Sequence, residues 1–167
     1  MNENELTIVD YSPELAHYFY TINKEWIDDM FVLESIDEQV LSNPQMYVID
    51  AGGYIWFVKH ARLGIVGACA LVNKGKGWFE LTKMGVSSDV RGLKIGEKLL
   101  HHVLEFCQMP HIHEVFLLTN KKCEAAIHLY EKLGFEHSKL IMQKYGKSYE
   151  RCDVAMYFNK QIGQGEG

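Results

Sequence analysis

A basic, glycine-containing loop is the part of this sequence whose residue types and spacing best suit chemistry. The loop reads Arg91-Gly92-Leu93-Lys94-Ile95-Gly96 and leads into a helical pattern. The first backbone N–H groups of a helix lack partners inside the helix and lie at the positive end of its dipole, so they favour phosphate oxygens. Arg91 and Lys94 add charge, and Gly92 and Gly96 let the backbone approach closely. The spacing matches neither a Walker-type loop nor a dinucleotide-binding loop, so an ordinary helix start remains an equal alternative to phosphate binding.

The elements before this loop follow from hydrophobic periodicity. Alternation predicts a first strand over Leu6–Asp10, and Ser12 followed by Pro13 predicts a helix start with a serine N-cap. A helix should follow, because apolar residues recur at three- and four-residue steps: Leu15, Tyr18, Phe19, Ile22, Trp26 and Met30. A second, short helix is expected over Ile36–Leu41.

The remaining segments predict an α+β fold. Three strand-like runs, Tyr54–Lys59, Ile65–Asn73 and Trp78–Val86, are separated by turn residues and should form an antiparallel meander. After the basic loop we expect a helix over Gly96–Gln108, a strand over Glu114–Leu118 and a helix over Lys121–Leu133 that is ended by Gly134. Two strands should follow, one from near Phe135 and one over Asp153–Phe158. We expect one domain over residues 1–160 and a flexible, glycine-rich tail over residues 161–167.

Length and composition suit one globular domain. The 167 residues include 17 Lys+Arg against 22 Asp+Glu, for a net charge of −5, and 47% are hydrophobic. These values exclude a disordered chain and argue against nucleic acid as a partner, despite Lys74, Lys76, Arg91 and Lys94. The longest apolar run, Ile65 to Val72, is far shorter than the ~20 residues of a membrane span. With no secretion-signal pattern at the start, we expect a cytoplasmic protein and no membrane partner.

The cysteines and histidines raise a metal hypothesis that the spacing does not favour. Four cysteines, Cys69, Cys107, Cys123 and Cys152, lie in separate segments without a Cys-x-x-Cys pair, so we expect reduced thiols. Cys107, His111 and His113 are close in sequence, but they lie on a helix that leads through a proline into a strand, and their side chains should diverge. No metal site is therefore expected.

Two motifs in order resemble the GNAT acyltransferase superfamily. Its acetyl-CoA signature, Gln/Arg-x-x-Gly-x-Gly/Ala between a strand and a helix, is matched by Arg91 and Gly96, with Lys94 in place of the inner glycine. A second pattern, Ala-x-x-Leu-Tyr on a helix that ends in Gly-Phe, appears from Ala126 through Tyr130 to Phe135. The resemblance is close over residues 64–135.

This resemblance implies a fold and a donor. The fold would be a central mixed, mostly antiparallel sheet flanked by helices, and acetyl-CoA would be the acetyl donor, with no metal. A bulge in the strand would leave backbone groups of Met84, Gly85 and Val86 free for the pantetheine arm. The resemblance places the cofactor's pyrophosphate on the loop and helix start, at Arg91, Gly92, Leu93, Lys94, Ile95, Gly96 and Glu97. The family's asparagine is Cys123 here, so Asn120 is expected to be either a helix cap or a cofactor contact.

The resemblance also assigns two catalytic roles. An alkylammonium of pKa ~10.4 must lose a proton before acetylation, and Glu80 matches the position of a general base in several members. Burial beside Trp78, Phe79 and Leu81 would raise its pKa; the alternatives are a solvent-facing glutamate, a pair with Lys83, or a water chain as base. Tyr130 matches the tyrosine that donates a proton to the leaving thiolate and contacts the cofactor. Without the family it would be a core tyrosine.

The acceptor is less visible in the sequence. Carboxylates cluster in the first helical region, at Glu25, Asp28, Asp29, Glu34, Asp37 and Glu38, with Lys24 the only neighbouring cation. They indicate either a site for a cationic amine or, more simply, a solvated acidic face. The resulting hypothesis is an N-acetyltransferase that moves acetyl to a primary amine of a small molecule or peptide in a ternary complex. The alternative is a catalytically silent acyl-CoA-binding or interaction module; the family also allows a homodimer.

Overall fold

The computed structural model of the protein describes residues 5–88, 90 and 94–160. Seven strands are present in this part of the chain: β1 (Leu6–Asp10), β2 (Tyr54–His60), β3 (Gly64–Gly75), β4 (Trp78–Val86), β5 (Glu114–Thr119), β6 (Phe135–His137) and β7 (Val154–Phe158). Five α-helices accompany them: α1 (Ala16–Met30), α2 (Ser35–Ser42), α3 (Ile95–Phe106), α4 (Glu124–Lys132) and α5 (Lys139–Tyr145). The expected mobile tail, residues 161–167, lies outside the described residues.

The strands form one sheet in the order β1-β2-β3-β4-β5-β7-β6. Strands β4 and β5 are parallel, and the other neighbours are antiparallel. The predicted meander is therefore confirmed as β2, β3 and β4. The expectation of a mixed, mostly antiparallel sheet flanked by helices is confirmed as well.

Side chains that alternate along the strands build a core on each face of the sheet. In β2, Trp56 and Val58 belong to the core formed with α3 and α4, where Leu99 and Tyr130 are buried. Ile55 and Phe57 point the other way, into the core formed with α1 and α2. Since both faces of the central strands are covered, those strands read as continuous apolar runs in the sequence.

Three local expectations need correction. Ser12 does precede a proline-initiated turn, but that turn is a 3₁₀ helix over Pro13–Leu15, and α1 begins only at Ala16. The side chain of Ser12 makes no capping hydrogen bond. Helix α4 begins at Glu124 rather than Lys121, because the preceding residues form a separate turn. Helix α5 was not predicted from the sequence.

Candidate active site

A cleft opens in the sheet where β4 and β5 separate. These strands pair only from Trp78 with Glu114 to Leu81 with Leu117. Beyond that point β4 continues along β3 as far as Val86, while β5 continues along β7. The edge of β4 that faced β5 is therefore left without a strand partner within the described residues, and its backbone groups are directed toward the cleft.

A β-bulge lies at the start of this unpaired stretch. Ala68 pairs with Gly85 and Ala70 with Thr82, so Lys83 and Met84 together oppose a single residue of β3. Lys83 has a left-handed φ of +53°, as the first residue of a G1-type bulge does. The extra residue shifts the alternation: Met84 packs with the α3 core, and the side chain of Lys83 projects to the opposite face. The bulge that the family resemblance implies is thus present.

The cleft has a volume of about 320 Å³. Its walls come from α1 and the residues after it, from β4, from the end of β5 and the start of α4, and from the segment before β7. Among the residues expected to contact acetyl-CoA, the cleft is lined by Met84, Gly85, Val86, Asn120 and Tyr130. The structure therefore brings together the strand and helix contacts that were predicted from separate parts of the sequence.

The start of α3 borders a second recess, beside the first. It is lined by Lys94 and Ile95 together with Val86 and residues of α1. Lys94 is the N-cap of α3 and adopts left-handed φ and ψ of 53° and 36°, the conformation that glycine favours at this position of the family signature. Arg91, Gly92 and Leu93, which were expected to bind the pyrophosphate, lie outside the described residues.

Gly96 and Glu97, at the start of α3, differ in their side-chain surroundings. A Cβ at Gly96 would approach other atoms only to 3.8 Å, so packing within the protein does not require a glycine there. The carboxylate of Glu97 instead accepts a hydrogen bond from the Lys132 ammonium at 2.6 Å, and this partner lowers its pKa. Glu97 thereby ties α3 to α4, and only its backbone remains for the predicted cofactor contact.

Helix α1 packs directly against the unpaired part of β4. A Cβ on Gly85 would lie 2.7 Å from the indole of Trp26, so this position has no room for a side chain. The indole N–H of Trp26 donates to Asn23 at 2.9 Å, and Asn23 is buried and donates to the Phe19 carbonyl. These bonds fix Trp26 as a wall of the cleft next to the strand.

Tyr130 is buried and lines the cleft from α4. Its ring packs edge-on against Phe135, with centroids 5.7 Å apart, so the Gly134-Phe135 pair that follows the helix supports the tyrosine. Burial, with smaller effects from Cys69 and Cys123, raises the pKa of its phenol. Tyr130 therefore reaches the site as a neutral hydrogen-bond donor.

Glu80 is buried on the opposite face of the sheet and does not line the cleft. It is 4% exposed, and burial raises its pKa against the opposing charges of Lys74 and Lys83. The burial expected from its apolar neighbours is confirmed, and the alternatives of a solvent-facing glutamate or a pair with Lys83 are wrong. Its Oε2 has no hydrogen-bond partner among the described residues.

Lys83 belongs to a buried ion network that sequence reasoning missed. Its ammonium donates to Asp37 at 2.7 Å and to the Tyr149 hydroxyl at 3.3 Å. Arg151 binds the same carboxylate through both terminal nitrogens, at 2.6 and 2.7 Å, and also donates to Glu34. These residues are far apart in sequence, and the one local signal is a capping box at the start of α2, in which Glu34 and Asp37 bond each other's backbone.

The six carboxylates of the acidic cluster have different surroundings in the structure. Asp37 is fully buried, and the bonds from Arg151 and Lys83 outweigh burial and lower its pKa to about 2. The expected solvated face describes the exposed members of the cluster, Glu25, Asp28, Asp29 and Glu38, but not Asp37. Glu38 accepts a bond from Tyr20, and Asp28 pairs with Lys24 at the surface. Glu25 accepts the backbone N–H of Ser88 and lines the recess near α3.

Asn120 joins the cleft to the segment before β7. Its amide donates to the Arg151 carbonyl at 2.7 Å and accepts the backbone N–H of Lys122 at 2.9 Å. The N-cap of α4 is Cys123, so Asn120 is not the cap of that helix. It lines the cleft, and the predicted cofactor contact remains a prediction.

A family comparison agrees with this geometry. A family model described as an acetyltransferase (GNAT) domain matches residues 51–137. The chain belongs to the GNAT acetyltransferase family, which confirms the resemblance drawn from the motifs.

Curated relatives match parts of the chain. It is 33% identical over 127 residues to a probable N-acetyltransferase camello of Xenopus laevis, covering 75% of this chain and 58% of that protein. It is 36% identical over 95 residues to an N-acetylaspartate synthetase of Xenopus tropicalis, covering 56% of this chain and 34% of that protein. The chain thus spans between about a third and three fifths of these relatives.

Solved structures share the fold over nearly the whole chain. A GNAT-family acetyltransferase from Staphylococcus aureus superimposes with a TM-score of 0.82 at 23% identity, covering 93% of this chain and 99% of the other. A spermidine N-acetyltransferase from Vibrio cholerae, solved with CoA and spermine, gives a TM-score of 0.66 at 16% identity, covering 95% and 97%. The splayed sheet is thus a fold shared with these proteins.

Two further findings concern the described residues alone. No helix there is long and apolar enough to cross a membrane. No group of three or more histidine, cysteine, aspartate or glutamate side chains in that part of the chain could hold a metal ion. The four cysteines are free thiols.

Proposed function

We propose that this chain is an acetyl-CoA-dependent N-acetyltransferase that transfers acetyl directly to a primary amine. The observation that carries the proposal is the separation of β4 from β5 beyond Leu81, which leaves an open strand edge along one wall of a cleft. An extended amide chain such as a pantetheine arm could bond to this edge as a further strand would. When bound, acetyl-CoA supplies an activated thioester.

The donor would be held at two places. Backbone groups of Met84, Gly85 and Val86 would bind the pantetheine arm, and a backbone N–H there would polarise the thioester carbonyl. The start of α3, with Lys94 at its N-cap and the Arg91-Gly92-Leu93 stretch before it, would take the pyrophosphate. Without a Cβ at Gly96, a ligand could approach this backbone closely.

Glu80 would accept the proton of the acceptor ammonium. Its raised pKa makes it a stronger base than an exposed carboxylate, and its unpartnered Oε2 can receive a proton. Tyr149 lines the cleft, and its pKa is raised mainly by burial and additionally by the charge of Glu80, so the two groups interact. The proton would therefore pass by way of the cleft-facing groups next to Glu80 rather than directly.

Tyr130 would stabilise the thiolate as it leaves. A phenol of pKa ~10 is already a weaker acid than a thiol of pKa ~8.5, and burial raises the phenol further. The same burial disfavours the charged thiolate and so raises the thiol pKa. The pKa values of the phenol and the thiol therefore move in the same direction. Tyr130 would thus donate a hydrogen bond throughout and transfer its proton late.

The test is a titration of purified protein with acetyl-CoA and with CoA, followed by a panel of amines monitored for thiol release. Micromolar binding and amine-dependent thiol release are expected. Failure of both nucleotides to bind would contradict the proposal. Binding with no release from any amine, together with wild-type binding by Tyr130→Phe, would instead support the silent acyl-CoA-binding module.

A further inference from the structure

We propose, on the basis of the acetyltransferase function above, that the acceptor carries a carboxylate close to its amine, as an amino acid does, and that Arg151 and Lys122 bind this carboxylate. The part of the cleft beyond β4 is formed by Phe31 after α1 and by Tyr149 and Arg151 before β7. This end lies away from the start of α3, where the donor's phosphates would bind, so its charges are available to the acceptor.

Cations predominate among the charged side chains that line the cleft. Lys83, Lys122 and Arg151 are lining residues, although the Lys83 ammonium is itself buried against Asp37, and Glu124 is the carboxylate that accompanies them within the described residues. This is the reverse of the protein as a whole, whose net charge is −5. The carboxylates that pair with Lys83 and Arg151, Asp37 and Glu34, are not lining residues of the cleft.

Arg151 is held rigidly with donors to spare. Its terminal nitrogens bind Asp37 and Glu34, its backbone N–H donates to Glu34, and its carbonyl accepts from Asn120. A guanidinium has five N–H donors, and these contacts leave the Nε–H and one Nη2–H without a bond to the described residues. The guanidinium lies 4.9 Å from the ring centroid of Tyr149 and 5.8 Å from that of Phe31. An arginine fixed in this way is suited to a carboxylate.

Lys122 supplies a second, uncompensated positive charge. It is exposed, and its ammonium lies 5.6 Å from the ring centroid of Phe31, on the same aromatic side chain that Arg151 approaches. No carboxylate of the described residues lies within ion-pair distance of it, whereas Lys83 pairs with Asp37 and Arg151 pairs with both Asp37 and Glu34. Two cations therefore lie next to the Phe31 ring, and an anion bound beside this ring would meet positive charge.

A cationic polyamine fits this end of the cleft poorly. The exposed carboxylates of α1 that could attract one, Glu25, Asp28 and Asp29, line the recess beside Lys94 and the start of α3 instead. An additional ammonium near Arg151 would meet like charge, which is unfavourable. The charge distribution thus separates an anionic amine from a polyamine as acceptor.

The experiment compares amines that differ by a single carboxylate. Lysine is compared with 1,5-diaminopentane and alanine with ethylamine, with spermidine as a polycation, and thiol release from acetyl-CoA gives kcat/KM. We expect each amino acid to exceed its decarboxylated partner about tenfold or more, as for a hydrogen bond to a charged group. Binding of each amine to the CoA-saturated protein is measured in parallel, so that the preference is read independently of turnover.

Two substitutions locate the effect. Lys122→Gln should raise KM for the amino acids about threefold and leave kcat and the decarboxylated amines unchanged. Its neighbour Lys121 is exposed and does not line the cleft, so Lys121→Gln is the matched control and should behave as wild type. Arg151→Lys keeps the charge opposite Asp37 but loses the planar fork, and it should reduce the preference further.

The outcomes separate the two proposals. Equal or better binding and turnover of 1,5-diaminopentane, ethylamine or spermidine would overturn the carboxylate assignment and leave the acetyltransferase intact. A preference for amino acids that survives both Lys122→Gln and Arg151→Lys would overturn the assignment to these residues. Failure of acetyl-CoA to bind would overturn the acetyltransferase and the acceptor assignment with it.

Discussion

The ammonium of Lys83 lies 2.7 Å from Oδ1 of Asp37, and the two side chains are 2% and 0% exposed. One end of this pair is on the β4 bulge and the other on α2, so the pair connects the open strand edge to the helices beside the cleft. Because Arg151 shares the same carboxylate, three segments that lie far apart in sequence converge on Asp37.

Removing this buried cation should destabilise the protein strongly. In Lys83→Met, Asp37 loses one of its two cationic partners while remaining buried, and we expect the free energy of unfolding to fall by about 3 kcal/mol. The matched control is Lys24→Met, which removes a cation from the surface pair with Asp28 and should cost less than about 1 kcal/mol. Urea unfolding measures both, and equal losses would contradict the structural importance of the buried pair.

Acid should weaken the fold through the same carboxylate. The folded pKa of Asp37 is about 2, below its ordinary value of ~3.9, so its stabilisation is complete above about pH 4 and is lost as the pH falls from there toward 2. The amount is about 2 kcal/mol. Urea unfolding between about pH 5 and pH 3 should show a smaller acid loss in Asp37→Asn than in wild type. Asp28→Asn, at the surface, should keep the wild-type slope.

The phenol of Tyr130 should matter for turnover and not for donor binding. Tyr130→Phe removes the hydroxyl and keeps the packing against Phe135, so we expect kcat to fall about 100-fold with the Kd for acetyl-CoA within about twofold of wild type. The rate of thiol release gives kcat, and calorimetric titration gives the Kd for acetyl-CoA. Tyr47→Phe, on an exposed tyrosine outside the cleft, is the control; unchanged kcat in Tyr130→Phe would remove the assigned role.

Glu80 should set the acidic limb of the rate profile. Because the base must be unprotonated and burial raises its pKa, kcat/KM should rise with pH through a value above the ordinary ~4.3 of glutamate. Glu80→Gln should lower kcat/KM about 100-fold and abolish that limb. Glu105→Gln, on the exposed side of α3, should keep the limb; a profile unchanged in Glu80→Gln would indicate a water chain as the base.

Lys94 combines a strained backbone with a charge near the donor site. Lys94→Gly should relieve the left-handed conformation and raise the free energy of unfolding by about 1 kcal/mol, while acetyl-CoA binding weakens about threefold because the charge is lost. Lys76 has nearly the same φ, +55°, in the β3–β4 turn away from the site. Lys76→Gly should therefore gain the same stability with no change in affinity. Loss of affinity in both variants would contradict a local effect of Lys94.

Most of the fold could be predicted from the sequence because its elements have strong periodicity. The three strands of the meander and α1 to α3 each carry apolar residues at a consistent spacing. Helix α5 could not be found in this way, since it has only seven residues and one buried side chain, Ile141, although Ser138 caps its start. Short helices have too few turns for a periodic signal.

The site was predicted where it depends on local motifs and missed where it depends on distant contacts. The resemblance to the family, carried by short local motifs, pointed to Tyr130 and to the Met84–Val86 stretch. The ion pair of Arg151 with Asp37 joins residues that are 114 positions apart in the sequence. The position of the bulge at Lys83 depends on the register of β4 against β3. Burial of a charge cannot be read from its neighbours when its partners come from other elements.

The separation of β4 and β5 divides the sheet into a four-stranded half and a three-stranded half. Among the described residues, strand pairing between the halves is confined to Trp78–Leu81 and Glu114–Leu117, and the ion network of Lys83, Asp37 and Arg151 is a second link between them. A small rotation about this short paired segment would leave the strand pairing within each half intact and would change the width of the cleft between them. Donor and acceptor bound between the halves would therefore affect the angle between the four-stranded half and the three-stranded half.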